Sequence, residues 1–169
     1  MPGFSKFESN AAASLDLENL FKNAVKNWHG SIETVPFNSD SAEVTGRLFC
    51  GNLAVLTSLI GTPYFEPFKE PTILVIEDIG ENPGRVIRAW TQWQQSGMLS
   101  NVSAVVLGRF TNMPGDNEKQ EILIQGELRK RSPKLPFFVT GQVGHIAENY
   151  PLLVGSLATL RDNRLSWKA

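Results

Sequence analysis

The sequence predicts an α/β fold, and two observations carry that prediction. Three short apolar runs, residues 73–76, 102–107 and 137–139, are continuous enough to be strands covered on both faces. Between them lie stretches whose apolar residues recur at helical spacing, so strands and helices alternate along the chain.

In chain order, residues 1–13 mix Ser, Asn, Glu and Ala without a period and read as a lead-in linker. From Ser14, a plausible N-cap, Leu17, Leu20, Phe21 and Val25 fall on one face of a short amphipathic helix ending near Trp28-His29-Gly30. Polar and apolar residues alternate through 31–35 and 42–45, which suggests half-buried strands punctuated by Pro36, Asn38 and Gly46. Residues 52–60 bring Leu53, Leu56, Leu59 and Ile60 to helical spacing before Gly61 and Pro63 stop the helix.

The first apolar run ends abruptly in Glu77-Asp78. After a loop containing Gly80, Pro83 and Gly84, residues 85–96 place Val86, Ala89, Trp90 and Trp93 on one stripe, with Gly97 at C′. Both tryptophans are therefore expected in the core. The second run leads into Gly108-Arg109-Phe110, and a Pro114-Gly115-Asp116-Asn117 turn opens a helix over 118–131, acidic at its start and basic at its end. The third run leads to Gly141, Gly144 and His145, and strands over 152–160 and 165–167 complete the reading.

Composition narrows the function. The 169 residues, 41% hydrophobic and 20% charged, suit one compact domain able to bury a core. Sixteen basic against 17 acidic side chains, a formal charge of −1, give no field to recruit nucleic acid or an anionic membrane. No apolar run approaches the roughly 20 residues that span a bilayer. A single cysteine, Cys50, forms no intramolecular disulfide, and the N-terminus has neither a basic nor an apolar leader segment, so a cytoplasmic protein is expected.

Three strand ends therefore come into view as places for chemistry: Glu77-Asp78, Gly108-Arg109, and residues 140–145. Glu77 follows four apolar residues and is expected either to be partly desolvated and partnered or to emerge at a solvent-filled cleft; a solvated strand end or a helix N-cap is the structural alternative. Any imidazole base must be His29 or His145, since the chain has two histidines. His29 is expected at a helix end and structural. Gly141 and Gly144 around His145 would let a substrate or a facing domain approach the backbone. Metal-ligand spacings, a phosphate-binding Gly-rich loop and a Gly-x-Ser-x-Gly elbow are all missing, so no metal and no cofactor are expected. The run Arg129-Lys130-Arg131 reads as the basic end of a helix.

Four ordered blocks resemble one family. Gly46-Arg47-Leu48-Phe49-Cys50-Gly51-Asn52-Leu53 with Leu59-Ile60-Gly61-Thr62-Pro63-Tyr64 is similar to the Gly-x-Leu-x-Gly-Gly-Asn-Leu…Leu-x-Gly-Thr-Pro-Tyr signature of LD-carboxypeptidases. Residues 76–81 resemble their Leu-Glu-Asp-x-x-Glu strand end, residues 106–110 their next strand, and Gly144-His145 with Pro151-Leu152 their Gly-His…Pro-Leu-Gly block. The resemblance implies a swivelling β/β/α domain over residues 14–169, the C-terminal half of a serine peptidase with a Ser-His-Glu triad. Cytoplasmic bacterial members cut the L,D bond before the terminal D-Ala of murein tetrapeptides during cell-wall recycling, and related members cleave microcin C-type peptide-nucleotides.

By that resemblance Glu77 and His145 match the triad Glu and His, and Gly51 and Asn52 fall in a motif expected to touch substrate. The family's serine and oxyanion-hole amides lie in a preceding flavodoxin-like domain that is absent from this chain. The expected partners are thus an N-terminal nucleophile domain or a separate chain that carries it, and a peptide substrate, with a homodimer left open. This sequence departs from the family at Cys50, which replaces the first Gly of Gly-Gly-Asn, at Gly84, at Ile87 and in Ile146-Ala147-Glu148-Asn149-Tyr150; substrate specificity is where these should tell. Two other readings stand beside the leading one: Cys50 as the nucleophile, and a non-catalytic module that binds muropeptides or another protein.

Overall fold

The computed structural model describes residues 26, 28–37 and 43–169. Residues 1–13 and the helix read from Ser14 lie outside them. The described chain runs β1 (His29–Glu33), β2 (Val35–Pro36), β3 (Val44–Asn52), α1 (Leu53–Ser58), β4 (Thr72–Ile79), α2 (Pro83–Gln95), β5 (Val102–Thr111), α3 (Asn117–Arg131), β6 (Phe137–Val139), β7 (Leu157–Arg161) and β8 (Arg164–Lys168).

All eight strands form one mixed sheet in the order β1-β8-β7-β3-β4-β5-β6-β2. Strands β3 to β6 are parallel neighbours, joined in turn by α1, α2 and α3, whereas β7, β8, β1 and β2 join antiparallel. Successive crossovers that all step the same way along a sheet put their helices on one face. Leu53, Val86, Trp90, Trp93, Ile124 and Leu128 accordingly pack from the three helices onto Leu74, Ile76, Val105 and Leu107. Trp90 and Trp93 are fully buried, as their stripe predicts, and each indole N–H finds a hydroxyl: Trp90 donates to Ser132 Oγ at 3.1 Å and Trp93 to Thr57 Oγ1 at 2.8 Å.

Only Thr34 separates β1 from β2, although they occupy opposite ends of the strand order. The sheet must therefore roll until its ends meet. Thr34 N–H donates to Asn163 O at 2.8 Å beside β8, and Phe37 N–H donates to Phe137 O at 2.8 Å on β6. Inside the roll lies a second core built from Ile32, Leu48, Ile73, Val75, Ala104, Val106, Phe138, Leu160, Leu165 and Trp167. Period-two alternation thus divides β4 between two cores, with Leu74 and Ile76 under the helices and Ile73 and Val75 inside the roll.

Three expectations are corrected. His29 does not end a helix; it opens β1 opposite Lys168. Gly46 does not interrupt a strand but lies within β3, where a Cβ would stand 2.8 Å from Pro71 O, so the glycine serves close approach of the neighbouring chain. The strand read over 152–160 starts only at Leu157, because Gly155 turns there with φ +85° and its N–H donates to Leu48 O at 2.7 Å.

Candidate active site

The Glu77-Asp78 pair is divided by strand alternation. Asp78 faces the helical layer and accepts from Asn52 Nδ2 at 2.9 Å, Ala54 N–H at 2.9 Å and its neighbour Ile79 N–H at 2.8 Å. It is a buried brace for the start of α1. Glu77 follows Ile73 and Val75 on the other face, toward the inside of the roll, and is 9% exposed. A bulge lies opposite it: Ile76 pairs with Leu107 but Asp78 pairs with Phe110, so β5 carries one extra residue at Gly108-Arg109.

That bulge receives the loop bearing His145. Arg109 N–H donates to Val143 O at 2.8 Å, an approach open only to glycine at 108: a Cβ there would stand 2.7 Å from Val143 O and 3.2 Å from Glu77 Cβ. One residue on, Gly144 adopts φ +139° and lies against Arg109, whose Cβ and O are each 3.1 Å from where a side chain would begin. The predicted approach at Gly144 is thus made by the fold's own strand β5. At Gly141 nothing lies within 4 Å of the point where a Cβ would stand. Farther along, Tyr150 N–H donates to Gln142 O at 2.8 Å and Gly144 N–H to Asn149 Oδ1 at 3.1 Å, closing the loop on itself.

The result is a contact between residues far apart in sequence: His145 Nδ1 lies 2.7 Å from Glu77 Oε2. A carboxylate only accepts, so with Glu77 ionised the ring proton belongs on Nδ1 and Nε2 is left as a base. Glu77 is almost enclosed while the His145 side chain is half exposed, 12% against 50%. Both anticipated alternatives for Glu77 therefore hold together: it is desolvated and partnered, and it borders a cleft. This open cavity, about 650 Å³, is lined among others by Cys50, Val75, Glu77, Val143, His145 and Tyr150.

Of the motif residues expected to touch substrate, Gly51 lines this cavity, but its absent side chain serves packing, since a Cβ would meet Leu56 Cδ1 at 2.8 Å. Asn52 does not line it; its Oδ1 caps α1 by accepting from Val55 N–H at 3.0 Å and its amide group is bound to Asp78. Cys50 is half-buried in the cavity wall. Burial first, and the charge of Glu77 second, hold its thiol above the ordinary range, the reverse of what activates a thiolate. Among the described residues no cluster of three His, Cys, Asp or Glu side chains could hold a metal ion, and no helix is long and apolar enough to cross a membrane. The sequence reading missed Gly108 as the seat of the loop; a glycine at the end of a strand pattern is the signal that could have found it.

Residues 45–160 match the family model of the LD-carboxypeptidase C-terminal domain. A Synechocystis sp. protein named "Putative carboxypeptidase slr1534" is 39% identical over 117 residues, covering 68% of this chain and 38% of its own. The murein tetrapeptide carboxypeptidase of Pseudomonas aeruginosa is 33% identical over 125 residues, covering 73% and 40%. The crystal structure of muramoyltetrapeptide carboxypeptidase from Oxalobacter formigenes superimposes with a TM-score of 0.69 at 29% identity, over 89% of this chain and 53% of that one. The chain spans about four tenths of the length of these two curated relatives.

Proposed function

This chain belongs to the LD-carboxypeptidase family, matching its C-terminal domain, and from that membership we propose that it supplies the Glu and His of a Ser-His-Glu triad hydrolysing the L,D-peptide bond that releases terminal D-Ala from murein tetrapeptides. The serine and the oxyanion-hole amides come, on this reading, from a flavodoxin-like nucleophile domain, and the reaction belongs to cytoplasmic cell-wall recycling. The observation that supports it most is the 2.7 Å contact between His145 Nδ1 and Glu77 Oε2.

In this mechanism Nε2 of His145 removes the serine proton as Oγ attacks the scissile carbonyl. The imidazolium then gives that proton to the nitrogen of departing D-Ala as the C–N bond breaks, leaving an acyl-serine. Water attacks the acyl carbon, Nε2 takes its proton, and return of the proton to Oγ releases the shortened peptide. Glu77 holds the tautomer and stabilises the imidazolium throughout. Its enclosure strengthens that interaction relative to a solvated pair.

The test combines the chain with a serine-bearing half from the family and follows D-Ala release from murein tetrapeptide. Activity that appears only in the mixture and collapses in His145→Ala is the expected result. Undiminished release by His145→Ala in the mixture would refute the reading.

A further inference from the structure

We propose that Asn149 is a positioning residue for His145, acting through the backbone N–H of Gly144; its catalytic meaning rests on the triad reading above. The ring of His145 is half exposed, so packing alone does not aim it. Its direction depends on the Glu77 contact and on the backbone that carries it. On the β5 side, that backbone is held by Val143 O on Arg109 N–H and by the contact of Gly144 with Arg109. On the outer side, residues 147–149 are exposed, and the bond spanning the tip is Gly144 N–H to Asn149 Oδ1 at 3.1 Å.

That bond ties the residue just before His145 to one five positions on, and a second, Ile146 N–H to Gly144 O at 2.9 Å, tightens the turn between them. Gly144 sits at φ +139°, a conformation that glycine adopts without a Cβ penalty but that its own flexibility does little to hold. An acceptor on its N–H restores definition there. Removing it frees Gly144 to rotate, and small displacements of a reacting group carry large rate penalties.

Asn149 also lines the cavity, so its amide nitrogen could instead meet substrate. The two roles use different atoms. Asn149→Ala removes both; Asn149→Asp keeps the acceptor for Gly144 and removes the amide donor.

With two histidines in the sequence, ring-nitrogen NMR on the full chain is readily assigned, using His29→Gln as the marker. At a pH where the ring is neutral, the expected result is His145 protonated on Nδ1 in the parent, a mixture of tautomers in Asn149→Ala, and recovery in Asn149→Asp. In the mixture with a serine-bearing half, kcat should fall about 10- to 100-fold in Asn149→Ala with KM within about twofold, and largely return in Asn149→Asp. An unchanged tautomer in Asn149→Ala overturns the proposal. So does an Asn149→Asp variant as impaired as Asn149→Ala with a raised KM, which marks a substrate contact. Failure of the triad reading shows separately, as activity indifferent to His145→Ala, and the tautomer measurement then decides the role of Asn149 by itself.

Discussion

Nδ1 of His145 and Oε2 of Glu77 stand 2.7 Å apart across 68 positions of sequence. Glu77→Gln keeps the size of the side chain but removes the charge that favours imidazolium and permits the wrong tautomer. On the proposed triad, kcat in the mixture with a serine-bearing half should drop on the order of 10⁴-fold with little change in KM, as for the equivalent change in a serine-protease triad. Steady-state D-Ala release checks this, and a loss below about tenfold would remove Glu77 from the mechanism.

Gly108→Ala should part the same two residues while leaving both side chains in the sequence. The added methyl would lie 2.7 Å from Val143 O and 3.2 Å from Glu77 Cβ, so the loop must lift from β5. Overpacking of this kind costs about 1–3 kcal/mol, readable as a lower denaturation midpoint. The Nδ1-protonated signal of His145 should weaken in parallel. Gly141→Ala, where the space is open, should change neither.

Cys50 should resist alkylation at neutral pH. Its thiol is held up by burial and then by Glu77, so the reactive thiolate accumulates only above the ordinary thiol range. In Glu77→Gln the charge goes but the burial stays, so the pH at which labelling accelerates should fall only part of the way back. Mass-spectrometric labelling across a pH series measures both. Fast labelling of the parent at neutral pH would revive Cys50 as a nucleophile.

Glu121 ties α3 to the strand that seats the His145 loop. Its carboxylate accepts from Arg109 Nε at 3.0 and 3.2 Å and from the buried Phe110 N–H at 2.9 Å. Glu121→Ala leaves that N–H without its acceptor, a loss of about 1–3 kcal/mol by denaturant unfolding. Glu121→Gln can still accept from Phe110 and should lose less.

Much of this is legible in the residues. The stripe Val86, Ala89, Trp90, Trp93 identifies its helix and its buried face, and three apolar runs locate three of the four parallel strands, because period and continuity are local properties. Residue type and place after a strand make Glu77 and His145 candidates among several, the family resemblance is what selects them, and the structure brings the two side chains together. Glu77 and Asp78 read alike in sequence, yet one faces the cavity and the other braces α1; only the pleat tells them apart. The continuation of β3 through Gly46 is hidden because the reason for that glycine, Pro71 O, comes from elsewhere in the chain. The β7–β8 hairpin turns on Asp162 and Asn163, both at positive φ, and this two-residue turn does have a signal in the sequence. The bond from Gly144 to Asn149 has no signal at all, since a loop's internal hydrogen bonds follow from its path.

Pairing of His29 with Lys168 joins nearly the whole length of the described chain. During synthesis, β1 emerges early but has no neighbour until residues 164–168 have left the ribosome, so its ladder cannot form vectorially. Sheets closed by such distant pairings fold slowly and leave bare edges exposed to other chains meanwhile. Glu33, at the end of β1, also grips the His145 loop: its N–H donates to Gln142 Oε1 at 2.6 Å and its carbonyl accepts from Thr140 Oγ1 at 2.8 Å. The loop that carries His145 is therefore tied to a strand whose own ladder is completed only when β8 has docked.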